Sequence, residues 1–465
     1  MGWAAGCPRG SRGGSGRYRE RGEELKLLDL ERSVRPDWFQ DPAMVGYVCY
    51  VDRFTGTLDG SVGTSTTCRA GRPQPLRRRA RLGAGRPGRR PRGRGDVLVF
   101  PDRELPDAYE RTLPEVFPDF APGNFSFLPE TGKRVWTGFN TFQLDLNWSN
   151  PRVFVEMAEV LLNLANRGVE VLRLDAIGFI WKRLGTSCQN QPEVHDLLLA
   201  LRACARIVVP AVVFKAEAIV SPVDLAAYPG VGRHHGRISD LAYHNSLMVR
   251  FWSAVATRDA RLATLVLGRL PAKPASTAWA TYLRCHDDIG WAALDEDAAA
   301  TGWSGSAHRR FLADFYAGKF PGSFARYLDD PARAADNRWL HRPAMDWTWP
   351  AAGPSPAPWP RRICSALVGL AEARRRTPHL HAATPVEVVD LQQPQLFAFM
   401  RRHPLGTLVA VHNVTEQPRR VSPMALYLVG HDRPVDRISG RPARVDHGQV
   451  VLIPYQAVWL TAPDG

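Results

Sequence analysis

A chain of 465 residues with 45% hydrophobic content and 14 Trp reads as globular, with room for one large core and a smaller second domain. No apolar run is long enough to span a bilayer. The seven scattered cysteines (Cys7, Cys49, Cys68, Cys188, Cys204, Cys285, Cys364) include no CxxC or Cys/His ligand spacing. The net charge of +14 suits a nucleic-acid binder, but eleven Arg and no acidic residue fall between Ser61 and Gly95, and charges outside that segment nearly balance. These facts predict no membrane span, no structural zinc, no nucleic-acid partner and a reducing, cytoplasmic setting.

Residues 1–22 are Gly- and Arg-rich, lack the apolar stretch of a signal peptide, and are predicted to be a disordered basic tail. A short amphipathic stretch with Leu25, Leu28 and Val34 follows, and Gly46 to Asp52 is predicted as a buried strand ending in a carboxylate. Residues 61–95 have almost no aliphatic side chains and no periodicity. An RNA-binding tail, a disordered loop and an out-of-frame stretch are the three readings. The GC-rich codons of Arg, Gly, Pro and Ala favour the last, an aberrant insert.

Order is expected to resume near Asp96. Asn150 can cap a helix with Pro151 at its first position. Phe154, Met157, Leu161, Leu164 and Ala165 recur at helical spacing, and Gly168 stands past the end. Val169 to Asp175 reads as a strand, Pro192 to Val208 as a helix, and Val212 to Glu217 as a strand. Ile238 to Tyr243 is a further strand, Asn245 to about Leu267 one helix, and Trp279 to Asp288 another strand. This alternation predicts an α/β fold with a parallel sheet, a (β/α)8 TIM-type barrel over 23–345. A linker and helix are expected over 346–380. Short β-rich runs over 381–465 predict a small antiparallel β-domain.

Three predicted strands end in acidic clusters: RLDA at 173–176, KAEA at 215–218 and CHDD at 285–288. Breaking a glycosidic bond with retention needs two carboxyl groups, one attacking the anomeric carbon and one exchanging a proton. Arg173 stands two residues before Asp175, on the same side of a strand, and would keep it ionised. Glu217 lies in an apolar run that would raise its pKa, as an acid/base requires; Lys215 opposes this. His286, Asp287 and Asp288 supply a donor and two carboxylates for sugar hydroxyls or an oxocarbenium ion. Metal binding is the rival for that cluster, with no second His at i+4 to support it. Phe139 is most simply core.

Taken together these residues resemble the α-amylase superfamily, glycoside hydrolase family 13, and within it the amylosucrase branch. The resemblance runs through PDWFQ (36–40), GYVCYVDRF (46–54), FNTFQLDLNWSNP (139–151), the long run GVEVLRLDAIGFIWKRLGTSCQNQPEVH (168–195), FKAEAIV (214–220), LAYHNSLM (241–248), RCHDDIGW (284–291) and DNRWLHRP (336–343). It implies Asp175 as nucleophile, Glu217 as general acid/base and Asp287 as transition-state stabiliser. It also implies that Arg173 and His286 orient the nucleophile and sugar hydroxyls. Phe139 would line the pocket, Asp288 would face the acceptor and Arg338 would close the pocket floor. The implied reaction moves glucose from sucrose to an α-1,4-glucan, releases fructose and needs no cofactor. A sucrose hydrolase, another α-glucosidase and a catalytically dead glucan-binding remnant are the alternatives.

The chain also departs from that pattern. The motifs of the second and third barrel strands are absent after Gly60, where the Arg-rich segment stands. The last barrel strand is absent after Arg326. About five of eight strands are matched, so the expected barrel is incomplete and Arg338 lacks its aspartate partner. Whether such a chain is an enzyme is left open by the residues alone.

Overall fold

The computed structural model describes residues 14–46, 78–82, 95–116, 121–218, 222–284, 295–316, 318–320, 359–428 and 433–463. They divide into two compact units. The first lies within 1–38, 77–243 and 276–280, and the second within 39–76, 244–275 and 281–465.

In chain order the first unit contains helix α1 (Glu23–Val34) and strands β1 (Arg78–Leu82), β2 (Val99–Phe100), β3 (Phe125–Leu128) and β4 (Lys133–Trp136). Then come α2 (Pro151–Asn166), β5 (Val169–Leu174), α3 (Pro192–Val208), β6 (Val213–Ala216), the short α4 (Pro222–Leu225), β7 (Leu241–Tyr243) and β8 (Ala278–Ala280). The main sheet runs β1-β5-β6-β7-β8 with every neighbouring pair parallel. A small antiparallel sheet, β2-β4-β3, stands apart from it in the hydrogen bonding.

The start of α2 follows from its cap. The Asn150 side chain accepts from the Arg152 N–H at 3.1 Å, and Pro151 has no N–H to leave unpaired. Val153, Leu161, Leu162 and Ala165 form its buried stripe, and Gly168 at φ 84° turns the chain into β5. Residues of β5, β6 and β7 are buried almost without alternation, as a parallel sheet covered on both faces requires. Leu161, Leu172, Leu198, Phe214 and Ile238 meet in its core.

Three expectations need correction here. Residues 14–22 are not a disordered tail: Gly14–Arg19 is helical. The buried Arg21 guanidinium pairs with Asp29 at 2.6 Å and donates to the Ala165 carbonyl at 2.9 Å, so two specific partners overrule a composition that suggests disorder. Within the Arg-rich segment, residues 78–82 form β1, a parallel neighbour of β5. Backbone N–H and C=O groups pair whatever the side chains, so composition alone hides such a strand. The strand expected at 279–288 is confined to Ala278–Ala280 among the described residues. The strand expected at 46–52 lies almost wholly outside them, as does the linker expected from residue 346, up to residue 358.

The second unit opens with α5 (Asn245–Thr257) and α6 (Arg261–Gly268). The single helix expected here is broken. Arg258 is left-handed at φ 57°, and the Asp259 carboxylate accepts from the Arg261 N–H at 2.8 Å, capping the new helix. Helices α7 (Gly305–Tyr316) and α8 (Trp359–Arg375) follow. Residues 387–461 build a six-stranded and a three-stranded sheet. Their longest hairpin pairs Leu396–His403 with Gly406–Asn413 in antiparallel register. Leu396, Ala398 and Met400 are buried on one side of the first strand, and they join Val409, Val411, Leu452 and Leu460 in a separate core. No helix among the described residues is long and apolar enough to cross a membrane.

Four histidines of this unit are held neutral by burial. His244 is pushed down to about 4, and His308, His379 and His412 are lowered from the usual imidazole value. Cations reinforce burial at His308 (Arg250, Arg309) and at His379 (Arg437, after His403). In the unfolded chain these rings take protons below about pH 6.5, whereas the folded chain resists, so stability falls as pH drops from about 6.5 towards 4. The urea midpoint should therefore decline across that window. His244→Asn, which keeps a side-chain acceptor for the Leu247 N–H at the start of α5, should flatten the decline. An equally steep decline in the variant would remove His244 from the account.

Candidate functional site

The parallel register of the main sheet sets the site. Arg173 on β5 pairs with Lys215 on β6, and Leu174 pairs with Ala216. Asp175 and Glu217 therefore leave neighbouring strands at the same end. Arg173 gathers both: one guanidinium nitrogen lies 2.6 Å from Asp175 and the other 3.4 Å from Glu217. The Arg173 and Asp175 side chains are each 11% exposed and that of Glu217 15%, so the charges face one another largely shielded from water.

The backbone tightens this arrangement. Ala176 is left-handed at φ 49°, and its N–H donates to Glu217 Oε2 at 2.7 Å. The Glu217 N–H donates to the Leu174 carbonyl at 2.9 Å, and the Ile177 N–H to the Glu217 carbonyl at 3.3 Å. A non-Gly residue in that conformation costs about 1–2 kcal/mol, so the surrounding contacts must impose it. The apolar run expected around Glu217, with Lys215 opposing it, is joined by a second cation, Arg173, and a backbone donor, the Ala176 N–H.

Lys215 is buried, with its ammonium 3.8 Å from the Tyr243 ring centroid, and the Arg173 guanidinium carbon lies 5.7 Å from the same centroid. Tyr243 ends β7, so three adjacent strands contribute to one cluster of charges around an aromatic face. Tyr243 was not among the residues singled out in the sequence. Its place at a third strand end was the available signal.

An open cavity with about 730 Å³ of empty space lies beside Asp175. Phe139, Trp148 and Phe179 give it aromatic walls, and Asp145 and Lys182 give it a charged edge. Phe139 packs edge-on against Phe179 at 5.4 Å between centroids, and the Lys182 ammonium lies 2.6 Å from Asp145. Asp175, Glu217, Arg173 and Phe139 are therefore placed in the first unit. His286, Asp287, Asp288 and Arg338 lie outside the described residues. Among the described residues no group of three or more His, Cys, Asp or Glu is arranged to hold a metal ion.

Residues 388–461 match the amylosucrase C-terminal domain family. The trehalose synthase/amylase TreS of Mycolicibacterium smegmatis is 33% identical over 197 residues, covering 42% of this chain and 32% of that protein. The glucosylglycerate phosphorylase of Escherichia coli is 32% identical over 194 residues, covering 42% and 33%. The chain spans about a third of the length of these curated relatives. Among solved structures, the alpha-glucosyl transfer enzyme XgtA superposes with a TM-score of 0.54 at 19% identity, over 79% of this chain and 77% of that one. An inactive double mutant of MutB in complex with isomaltulose gives 0.52 at 15% identity, over 79% and 78%. The fold is thus that of the TIM-barrel enzymes with a C-terminal β-domain.

The shared guanidinium has a measurable consequence. Arg173→Gln leaves two shielded carboxylates facing each other and should cost about 2–4 kcal/mol in urea unfolding at pH 7, a little under the value for a fully buried pair. Adding Asp175→Asn should recover a large part of that loss, because the two sites are coupled. Additive losses in the double variant would show that Arg173 does not bind the pair as a unit.

Proposed function

We propose that the chain carries a retaining site for α-glucosides. One observation carries this reading: a single buried guanidinium holds a carboxylate from each of two adjacent parallel strand ends, beside an aromatic cavity. Displacement with retention needs a pair of carboxyl groups, which supports this reading. Asp175, held by Arg173, attacks the anomeric carbon and forms a glucosyl ester. Glu217 gives its proton to the departing glycosidic oxygen. The Glu217 carboxylate then takes a proton from the acceptor hydroxyl, which attacks the ester and frees Asp175. Ala176 and Arg173 fix Glu217 in place for both transfers.

The finer reading is an amylosucrase-like glucosyl transfer from sucrose to an α-1,4-glucan, with Asp287 stabilising the transition state. His286, Asp288 and Arg338 would bind the sugar, and Phe139 would face it. The match of residues 388–461 to the amylosucrase C-terminal domain family supports that choice of donor. The chemistry as written requires no metal or organic cofactor.

Incubating the purified chain with sucrose tests the proposal. Fructose should be released, and Asp175→Asn should lower the release at least about a thousandfold. Glucan among the products indicates transfer, and free glucose in step with fructose indicates hydrolysis. A folded sample that releases no fructose from sucrose, or an Asp175→Asn variant as active as the parent, would overturn it.

A further inference from the structure

Tyr228 is fully buried in the loop that follows β6 and α4, downstream of Glu217. Its hydroxyl donates to the side-chain oxygen of Asn190, in the loop that follows β5 downstream of Asp175. Asn190 is itself left-handed at φ 54°, and its N–H donates to the Gly178 carbonyl at 2.8 Å. Cys188, two residues earlier, is left-handed at φ 52°. At Cys188 that conformation costs about 1–2 kcal/mol and persists only where contacts impose it, whereas Asn tolerates it more readily. The Tyr228 hydroxyl is one such contact at Asn190.

The phenol's surroundings keep it a donor. Burial raises its pKa, and Asp224 and Glu217 push the same way, so it stays protonated. On its other flank the His195 ring of α3 packs edge-on at 5.5 Å, and burial, with His234 beside it, lowers the His195 pKa against the opposing pull of Asp196.

We propose that Tyr228 is a positioning residue, whose hydroxyl clamps the loop after the Asp175 strand to the loop after the Glu217 strand. Its catalytic consequence rests on the retaining-site reading above. The clamp itself does not. With Asn190 held, the chain from Ala176 through Gly178 keeps the conformation in which the Ala176 N–H reaches Glu217. Releasing the clamp loosens the spacing of the two carboxylates without touching either.

Hydrogen exchange on the full chain, comparing the parent with Tyr228→Phe, decides the matter. Phenylalanine keeps the ring and removes only the donor. Amides over 178–191 should exchange about 5–10-fold faster, the loss of one buried hydrogen bond, while α2 and the hairpin of 396–413 keep their rates. Asn190→Gly keeps the left-handed backbone but removes the acceptor. It should give the same local acceleration, and serves if Tyr228→Phe does not fold. The double variant should add nothing to either. Where fructose release is measurable, kcat should fall more than tenfold with KM for sucrose changed less than about threefold, since positioning acts on the transition state. Unchanged exchange over 178–191 in both variants, or acceleration spread evenly over the chain, overturns the clamp. A parent chain that releases no fructose ends the retaining-site reading, and exchange still decides the clamp.

Discussion

The first unit turns on one buried guanidinium. Arg173 stands on β5 where the sheet is covered on both faces, and a lone cation there would cost several kcal/mol in lost hydration. Asp175 and Glu217 offset that cost, and each in turn depends on the cation they share. Lys215 brings a second charge to the same level of the sheet, because parallel register sets it opposite Arg173. The face of Tyr243 takes both cations at close range. Two cations, two carboxyl groups and one ring thus share one level of the sheet. The ion pairs that pack this end of the sheet are therefore also the ones that hold the candidate reacting groups.

Much of this frame is legible in the residues. The order Asn150-Pro151, an apolar stripe, Gly168 and the run VEVLRL states a capped helix, a turn and a buried strand in local terms, and local terms decided the outcome. The spacing of Arg173 and Asp175, two apart on a strand, already implied their contact. Other features depend on partners remote in sequence. The Arg21 pair with Asp29 and the carbonyl of Ala165 orders a segment whose Gly- and Arg-rich composition suggests disorder. β1 adds its backbone to β5, which side chains do not announce. The break between α5 and α6 falls at Arg258-Asp259, where no Gly or Pro marks it; only the role of Asp259 as a cap gives it away. Tyr228 and Asn190 meet across two loops, and no periodic pattern relates them.

The two ends of the main sheet carry different loads. At the end where β5 and β6 begin, α1 supplies Asp29, which accepts from the Ala211 N–H at 3.0 Å, and Arg32, which pairs with Glu170 and donates to the Ala211 carbonyl at 3.0 Å. Trp38 caps that guanidinium at 3.6 Å. These contacts satisfy backbone groups at the strand starts and fix where each strand enters. At the end where β5 and β6 finish, Asp175 lines a cavity and the backbone is left-handed at Ala176, Cys188 and Asn190. In parallel (β/α) sheets the strand C-termini are where loops build sites, and the N-termini serve stability. The division follows from physics: strain can be stored at one end only if the other end holds the strands in register. A change at Arg32 or Asp29 therefore acts on stability first, whereas a change at Arg173 acts on stability and chemistry together, because at that residue the ion pairs that hold the fold also hold the reacting groups.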